Sequence, residues 1–339
     1  MRFLKFFVMI VILTLYVCPA YAIKPIPEES GFSGFVSLGT TVMSLKSNLV
    51  AGTIAGGVAD KTISSIHEKS DSKTKVLPAI NGDLRYTFGS TRTQIMAGTM
   101  VEDFLSFDFG NIVGVRQDVS HAGIIGVSYL FSGMPAEVWE DPYLENTSRK
   151  EAERDSAGVR LSWEKIFGTM FHAKYSYREI EIENERSGTD PSLGLNPDEI
   201  RLLERDGDVH NAELAYLYRI GAGHLLNTAF KYTRHDKDGG AMSKDQYGVQ
   251  LTHTKKIEKF LFITNASYSS SEYDEENPIY NKTQENDNYG LALSVLYLKP
   301  FDMENWSIMT NFAGYKETSN IDFYEAQASL FNLSAVYKF

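Results

Sequence analysis

The sequence predicts an antiparallel transmembrane β-barrel of about 14 strands, located in a bacterial outer membrane with both termini periplasmic. Three observations predict this fold. The chain begins with an export signal, it contains segments of roughly ten residues in which apolar and polar positions alternate, and its last strand ends on an aromatic residue.

Residues 1–22 have the composition of a signal peptide. Arg2 and Lys5 precede an apolar run over residues 6–17, and Ala20 and Ala22 supply the small residues of a cleavage site. The run is shorter than the about 20 residues that a membrane-spanning helix needs. An N-terminal anchor helix is therefore the weaker interpretation.

Cys18 is the one cysteine of the chain. A lipid-modified Cys18 would follow a small residue, but Val17 precedes it, so cleavage after Ala22 is favoured. The mature chain is then expected to lack any disulfide. Its predicted parts are a short periplasmic lead at residues 23–30 and an outer-membrane barrel over residues 31–339.

Acidic residues outnumber basic ones and give a formal net charge of −11. Loss of Arg2 and Lys5 with the signal peptide makes the mature chain two charges more negative. Nucleic acid, which recruits basic patches, is therefore not expected as a partner. After the signal peptide no apolar run is long enough for a membrane-spanning helix, so the chain can cross a membrane only if its strands close into a barrel.

The alternation of apolar and polar residues locates the strands. In residues 171–177, for example, Phe171, Ala173 and Tyr175 alternate with His172 and Lys174. About 14 such segments lie near residues 33–46, 77–88, 91–100, 107–117, 122–132, 156–166, 169–183, 209–220, 223–235, 243–255, 259–271, 287–298, 305–316 and 325–339. The boundaries of short strands shift easily, so about twelve or sixteen strands remain open.

Short links alternate with longer ones, which is typical of periplasmic turns and extracellular loops. A short link near residues 101–106 is the exception. The link near residues 47–76 is rich in Gly, Ser and Ala, and its placement (extracellular, disordered or folded inward) is left open. In a later loop, Asn196 and Pro197 predict the start of a short helix.

The last strand places Phe331, Leu333, Ala335, Tyr337 and Phe339 on one face. Its aromatic end resembles the terminal signal by which outer-membrane proteins are recognised for assembly. The expected partners are therefore the barrel-assembly machinery, reached through the strand that ends at Phe339, and outer-membrane lipid and lipopolysaccharide. Either a monomer or a trimer is compatible with the sequence.

Several segments resemble an uncharacterised proteobacterial outer-membrane family, domain of unknown function 2860. The resemblance is carried by FDFGNIVGVRQ (107–117), by residues 126–131 with PAEVWEDPY (135–143), by GVRLSWE (158–164) and by YREIEIENERSG (177–188). It implies an outer-membrane location and a barrel over nearly all of the mature chain. It implies no activity and no site residues.

The inward positions of the predicted strands are polar, and on the second to ninth strands basic residues outnumber acidic ones. The predicted pore-lining residues are Arg85, Arg116, Arg160, Lys174, Arg178, Arg219 and Lys231. Barrels of about eight strands fill with their own side chains and those of about sixteen enclose channels, so an intermediate count predicts a water-filled lumen unless loops plug it.

The loop near residues 133–155 is acidic. If its segment 135–143 folds into the lumen, Glu137, Glu140 and Asp141 are expected to face Arg116, Arg160 and Arg178 and form a constriction with a transverse field. The alternative is a solvated extracellular loop.

These features predict a porin-like channel for passive or weakly selective diffusion of small hydrophilic solutes. Two alternatives are a plugged structural or adhesive barrel and an outer-membrane enzyme that uses His172 or His210 as a base. The histidines show no paired metal spacing and Gly-x-Ser-x-Gly is absent. No catalytic residue, metal or cofactor is therefore predicted.

Overall fold

The computed structural model describes residues 25–53, 56–103, 108–133 and 136–339. The predicted signal peptide and residues 104–106 of the short link lie outside this part of the chain. Within it, fourteen long strands form one sheet. These strands are β1 Gly31–Lys46, β2 Ser72–Phe88, β3 Thr93–Asp103, β4 Asp108–Asp118, β5 Ile124–Ser132, β6 Glu151–Glu164, β7 Phe171–Ile182, β8 Gly207–Arg219, β9 His224–Lys237, β10 Lys244–Ile257, β11 Phe260–Asn277, β12 Lys282–Leu298, β13 Trp306–Ser319 and β14 Ala326–Lys338.

Strand pairing closes this sheet into a barrel. Each strand pairs antiparallel with its neighbours in sequence, and β1 pairs with both β2 and β14. Thr41 of β1 lies opposite Leu77 of β2 on one side and Asn332 of β14 on the other. Closure gives every described barrel strand two partners, which is the condition for a sheet to cross a bilayer. The predicted fold class is confirmed.

Side chains alternate between the two faces of the wall. In β14, Leu333 is exposed on the outside and Asn332 is buried inside. Outward side chains of other strands are large and apolar: Phe230 is 63% exposed, Tyr247 65% and Leu291 62%. A closed barrel with such a face presents an apolar belt to lipid. Among the described residues, no α-helix has the length and hydropathy to span a bilayer.

The strands extend further toward the long-loop end than their apolar periodicity predicts. β2 begins at Ser72 rather than near residue 77, and β6 begins at Glu151 rather than near residue 156. β11 continues to Asn277, with a register shift between Glu272 and Glu276. These added segments are mostly polar, so the pairing of their backbones, not apolar burial, holds them in the sheet.

The loop end carries small elements of its own. Val50–Thr53 pairs antiparallel with Ala136–Trp139, which pairs with the start of β6, and Gly56–Gly57 pairs back onto the first of these strands. Helix α1, Pro197–Arg201, begins at the predicted position, where the Asn196 side chain accepts hydrogen bonds from two backbone amides. Single-turn 3-10 helices lie at Ser120–Ala122, Ile166–Gly168, Pro191–Leu193, Gly240–Met242, Pro300–Asp302 and Asp322–Tyr324.

A group of buried polar side chains joins the last strand to the first inside the wall. Asn332 Oδ1 accepts a hydrogen bond from Asn311 Nδ2 at 3.2 Å, and Asn332 Nδ2 donates to Thr41 Oγ1 at 3.0 Å. Ser334 Oγ also donates to Asn332 Oδ1, at 3.2 Å. Asn332 therefore links β13, β14 and β1 at the seam where the barrel closes.

Replacing Asn332 with Ala is expected to destabilise the barrel by about 2 kcal/mol, because the buried groups of Asn311 and Thr41 lose their partner. Urea unfolding of protein folded into lipid vesicles measures this change. Ser329→Ala, at an exposed position of the same strand, is the matched control and should leave the free energy of unfolding unchanged. Equal stability of both variants would show that the seam does not depend on Asn332.

Candidate functional site

The barrel encloses a cavity of about 1180 Å³ that runs along much of its axis. At the end with short turns, Ser33, Lys338 and Phe339 line it. At the loop end, Phe323 and Tyr324 line it. The cavity therefore extends from the level of the chain terminus to the underside of the loops.

One side of the barrel interior is apolar and is covered by the first loop. Met43, Leu45 and Leu330 point inward from β1 and β14, and Val50 and Val58 of the loop pack against them. The sequence left three placements open for the link near residues 47–76. In the structure, the part of this link that contains Val50 and Val58 folds inward. It narrows the lumen and leaves the cavity against the opposite wall.

The remaining lining of the cavity, called the basic wall below, is rich in cations. Eleven of the described residues that line the cavity are Lys or Arg, and five are Asp or Glu. The cationic residues are Arg85, Arg116, Arg154, Arg160, Lys174, Arg178, Arg205, Lys231, Lys237, Lys244 and Lys338. The acidic residues are Asp83, Glu164, Glu213, Glu317 and Glu325. Among the described lining residues, positive charges therefore outnumber negative ones.

The structure brings together six of the seven predicted pore-lining residues, namely Arg85, Arg116, Arg160, Lys174, Arg178 and Lys231. Arg219 is not among the residues that line the cavity. It is the last residue of β8 and is exposed at the turn end of the barrel, beyond the cavity wall.

Sequence analysis missed five of the cationic residues. Arg154 and Lys237 lie in the polar extensions of β6 and β9, outside the predicted strand limits, and Arg205 lies in a loop. Lys244 and Lys338 lie within predicted strands but outside the predicted pore-lining set. The signal for the first two was present, because Arg154 and Lys237 continue the two-residue period of Arg160 and His235.

Ion pairs order part of the basic wall. Arg116 donates to Glu164 Oε2 at 2.8 Å, and Lys174 Nζ donates to Glu213 Oε1 at 2.9 Å. Lys231 Nζ lies 3.7 Å from the other Glu213 oxygen. Each acid thus fixes its basic neighbours against the wall.

The loops pack into an apolar cap over the cavity. Its buried members come from several connections and are Ile66, Tyr143, Leu203, Ala241, Met242, Ile321, Phe323 and Tyr324. The hydroxyls of Tyr143 and Tyr324 lie 2.7 Å apart, and Asn277 Nδ2 donates to Tyr324 Oη at 2.7 Å. Burial raises the pKa of Tyr143 far above its ordinary value, so this hydroxyl stays neutral and hydrogen-bonded.

Arg149 ties the cap together from within. Its guanidinium donates to the backbone oxygens of Asn48, Pro142 and Asp60 at 3.0, 3.2 and 2.6 Å, and it lies 4.3 Å from the ring centroid of Trp139. Burial lowers the pKa of Arg149 to about 10, which leaves it charged at neutral pH. One buried cation thus joins the first loop to the loop after β5.

The expected placement of Glu137, Glu140 and Asp141 facing Arg116, Arg160 and Arg178 is wrong. None of these three acids lines the cavity, whereas Val138, which alternates with Glu137 in its short strand, does. Pairing of that strand with β6 turns Glu137 toward Glu151 and Glu153; burial, and then these two charges, raises its pKa.

Asp141 has a structural role in its turn. Its Oδ1 accepts a hydrogen bond from the backbone amide of Tyr143 at 2.9 Å. Burial raises the pKa of the Asp141 carboxyl. Glu140 takes part in the cap through its backbone, whose oxygen accepts from Arg186 N at 2.9 Å and from Arg205 at 3.2 Å. These acids belong to the loop framework and not to the lumen.

A closed antiparallel barrel with an outward apolar belt and a charged interior defines the class of outer-membrane β-barrel proteins. The chain belongs to the family described as protein of unknown function (DUF2860), whose model matches residues 31–338. The resemblance seen in the sequence is confirmed. No curated protein matches the chain in sequence.

Solved outer-membrane proteins resemble the chain in structure at low sequence identity. A loop-deletion mutant of OmpT of Vibrio cholerae is 12% identical, with 91% of this chain and 99% of that chain covered and a TM-score of 0.43. A Pseudomonas aeruginosa FadL homologue is 11% identical, with 94% of this chain and 94% of that chain covered and a TM-score of 0.47. An anion-selective porin from Comamonas acidovorans is 9% identical, with 92% of this chain and 100% of that chain covered and a TM-score of 0.41. Similarity at this level supports no inference about what the present chain transports or binds.

In the described part of the chain, no three His, Cys, Asp or Glu side chains are grouped as a metal site requires. The described lining of the cavity presents fixed cations, amides and hydroxyls to an enclosed space.

Replacing Arg149 with Met is expected to loosen the cap by about 3 kcal/mol, because three buried carbonyls lose a charged donor. The loops should then open about a hundredfold more often. Hydrogen exchange of residues 47–71 and 136–150, read by mass spectrometry, measures this. Lys150→Met, an exposed neighbour with the same replacement, is the control. Unchanged exchange in the Arg149 variant would mean that apolar packing alone holds the cap.

Proposed function

We propose that the protein is an outer-membrane channel for small hydrophilic solutes, that its basic wall favours anions, and that the packed loops represent its closed state. The observation that carries this proposal is the cavity, which continues from the turn end to the cap and whose described lining holds more cationic than acidic side chains. Ionisable groups inside a membrane are costly unless they face water or a partner, so this wall is suited to an aqueous interior.

A plugged structural barrel is the second candidate, and two observations favour it. The cap buries large apolar side chains such as Phe323, and the acids Glu164 and Glu213 pair with the basic wall. Against it, Arg160 and Lys174 still line open space despite these ion pairs. The two candidates differ in whether the cap opens.

We further propose that the barrel is not an enzyme. His210 Nδ1 lies 2.8 Å from the Tyr175 hydroxyl, on the outside of the wall. His172 faces the cavity between β6 and β8, where Lys174, Glu213 and Glu164 are its charged neighbours. In the described chain, neither histidine shows the serine–histidine hydrogen bond expected of a hydrolase.

Purified, refolded protein in a planar bilayer is expected to open in steps and to pass chloride in preference to potassium, as read from the reversal potential in a salt gradient. Lys174→Gln together with Arg160→Gln should lower this preference, because two fixed charges leave the pore wall. Lys255→Gln, a residue of β10 outside the cavity lining, is the matched control. A cation-selective pore would contradict the proposal.

If the wild-type protein shows no conductance in the bilayer, the Arg149→Met variant, whose cap is expected to be weakened, is measured in the same way. If inserted, folded protein of both forms conducts nothing, the plugged barrel replaces the channel as the proposed function.

Glu137→Gln is expected to leave ion selectivity unchanged, because the Glu137 side chain lies beside Glu151 and Glu153 and outside the cavity. The same reversal-potential measurement checks this. A shift as large as that of the Lys174 variant would place the loop after β5 in the conduction path.

A further inference from the structure

The described strands β2 and β3 separate in the loop-ward half of the wall. Their pairing starts at the turn that joins them and ends with Asp83 opposite Gly98. Beyond that pair both strands continue, β2 back to Ser72 against β1 and β3 on to Asp103 against β4. Residues 99–103, roughly 17 Å of strand at about 3.3 Å per residue, therefore have no strand partner on the side of β2. This gap is called the lateral opening below.

The local sequence explains why the two strands part here. Pro78 lies in β2 beyond the last pair, and proline, which has no N–H to donate to a neighbouring strand, belongs at sheet edges. Gly82, the residue of β2 next to the last pair, offers no side chain for packing across the strands. Where the ladder ends, the Thr99 hydroxyl donates to Asn81 Oδ1 at 3.4 Å. A side-chain contact thus takes the place of the next backbone pair.

The lateral opening lies at the level of the apolar belt. Beside it, Val76 of β2 pairs with Val42 of β1, and Ile80 pairs with Leu38. Val76, Val42 and Leu38 are exposed on the outer face of the wall, where they meet lipid. At membrane depth a strand edge is tolerated where protein covers it or where it faces an aqueous cavity. The opening is therefore expected to lead into the barrel.

The cavity reaches the same point from inside. Thr99 and Met100, the first residues of β3 after the last pair, line it. Met96 and Ile112 line it as well, and Ile112 of β4 pairs with Gly98, which lies between the two methionines on their face of β3. Met96, Met100 and Ile112 thus form one apolar surface at the lateral opening, called the entry patch below.

We infer that a lipid with a single acyl chain passes from the leaflet on the loop side through the lateral opening and binds with its chain on the entry patch. Methionine side chains are flexible and polarizable, so they adapt to a mobile chain. Three apolar side chains offer a contact surface for one chain and not for the several chains of a large lipid. Beyond the patch, the described lining supplies hydroxyls and amides, such as those of Ser267 and Asn265, for a polar head group.

This route differs from conduction along the barrel axis. A barrel that passes no ions still has the lateral opening and the entry patch, and an ion channel needs neither of them. Failure of the lipid proposal therefore leaves the proposed channel standing, and the reverse also holds.

The test is photolabelling of the folded protein in phosphatidylcholine vesicles, with palmitic acid that carries a diazirine midway along its chain as the probe. Mass spectrometry is expected to find adducts on the entry patch, although its side chains point into the barrel. Adducts confined to outward residues such as Val76 and Leu38 would overturn the inference.

A disulfide tests the route. Asn81→Cys with Met100→Cys places thiols at two positions that would be opposite each other if the register of Asp83 with Gly98 continued. The only natural cysteine of the chain, Cys18, lies in the predicted signal peptide. In the oxidised form, labelling of the rest of the entry patch should be lost, because the strands are held together, and reduction should restore it. Equal labelling in both states would show that the chain enters elsewhere and would contradict the lateral route.

Tyr86→Cys with Ile95→Cys is the matched control, because these residues of the same two strands already pair. Labelling of the entry patch should be the same in its oxidised and reduced forms. If the control disulfide abolished labelling as well, the loss would come from cross-linking in general and the lateral route would be rejected.

A second variant needs no disulfide. Met100→Gln should lower labelling of Met96 and Ile112 about tenfold, because a polar amide replaces an apolar group in contact with the chain. Met170→Gln, the same replacement at an exposed position before β7, should label as the wild type does. Undiminished labelling in the Met100 variant would show that the chain does not lie on the entry patch.

Discussion

The structure depends on one constraint: within a bilayer, every backbone amide and carbonyl needs a partner from the protein itself. The pairing of β1 with β14 meets this constraint by removing both edges of the sheet. Closure then determines which positions of each strand are apolar and which are polar, because one face of the strand meets lipid and the other meets an enclosed space. The inner seam at Asn332 shows how polar side chains satisfy each other where the chain's two ends come together.

The enclosed space is not uniform. Apolar residues of β1 and β14 are covered by the inward first loop, so water-accessible volume remains beside the basic wall. The same loop supplies carbonyl oxygens to Arg149, which also holds the loop after β5. The element that narrows the lumen is therefore part of the cap, and the shape of the cavity and its closure have a common physical cause.

The sequence allowed the strands to be predicted because lipid on one side and water on the other impose a period of two, visible in Phe171, His172 and Ala173. The prediction of strand limits failed where the strands leave the lipid and both of their faces meet polar surroundings. The polar extensions of β2 and β6 pair through their backbones beyond the apolar belt. No alternation of apolar residues therefore marks the segment that contains Arg154 as part of a strand. The prediction for the acidic loop near residues 133–155 was wrong because the sequence shows the charge of the loop but not its pairing with Val50–Thr53. Which of two alternating residues, Glu137 or Val138, faces inward depends on that register.

The basic wall and the cap share one connection. Lys237 ends β9, Lys244 begins β10, and the six residues between them supply Ala241 and Met242 to the cap. Lys237 N also donates to Ser243 Oγ at 2.8 Å, so this turn is fixed at both ends. If the cap opens by moving this connection, the positions of both lysines change with it. Under the proposed channel function, anion affinity and cap opening are then linked, and by reciprocity each alters the other by the same factor.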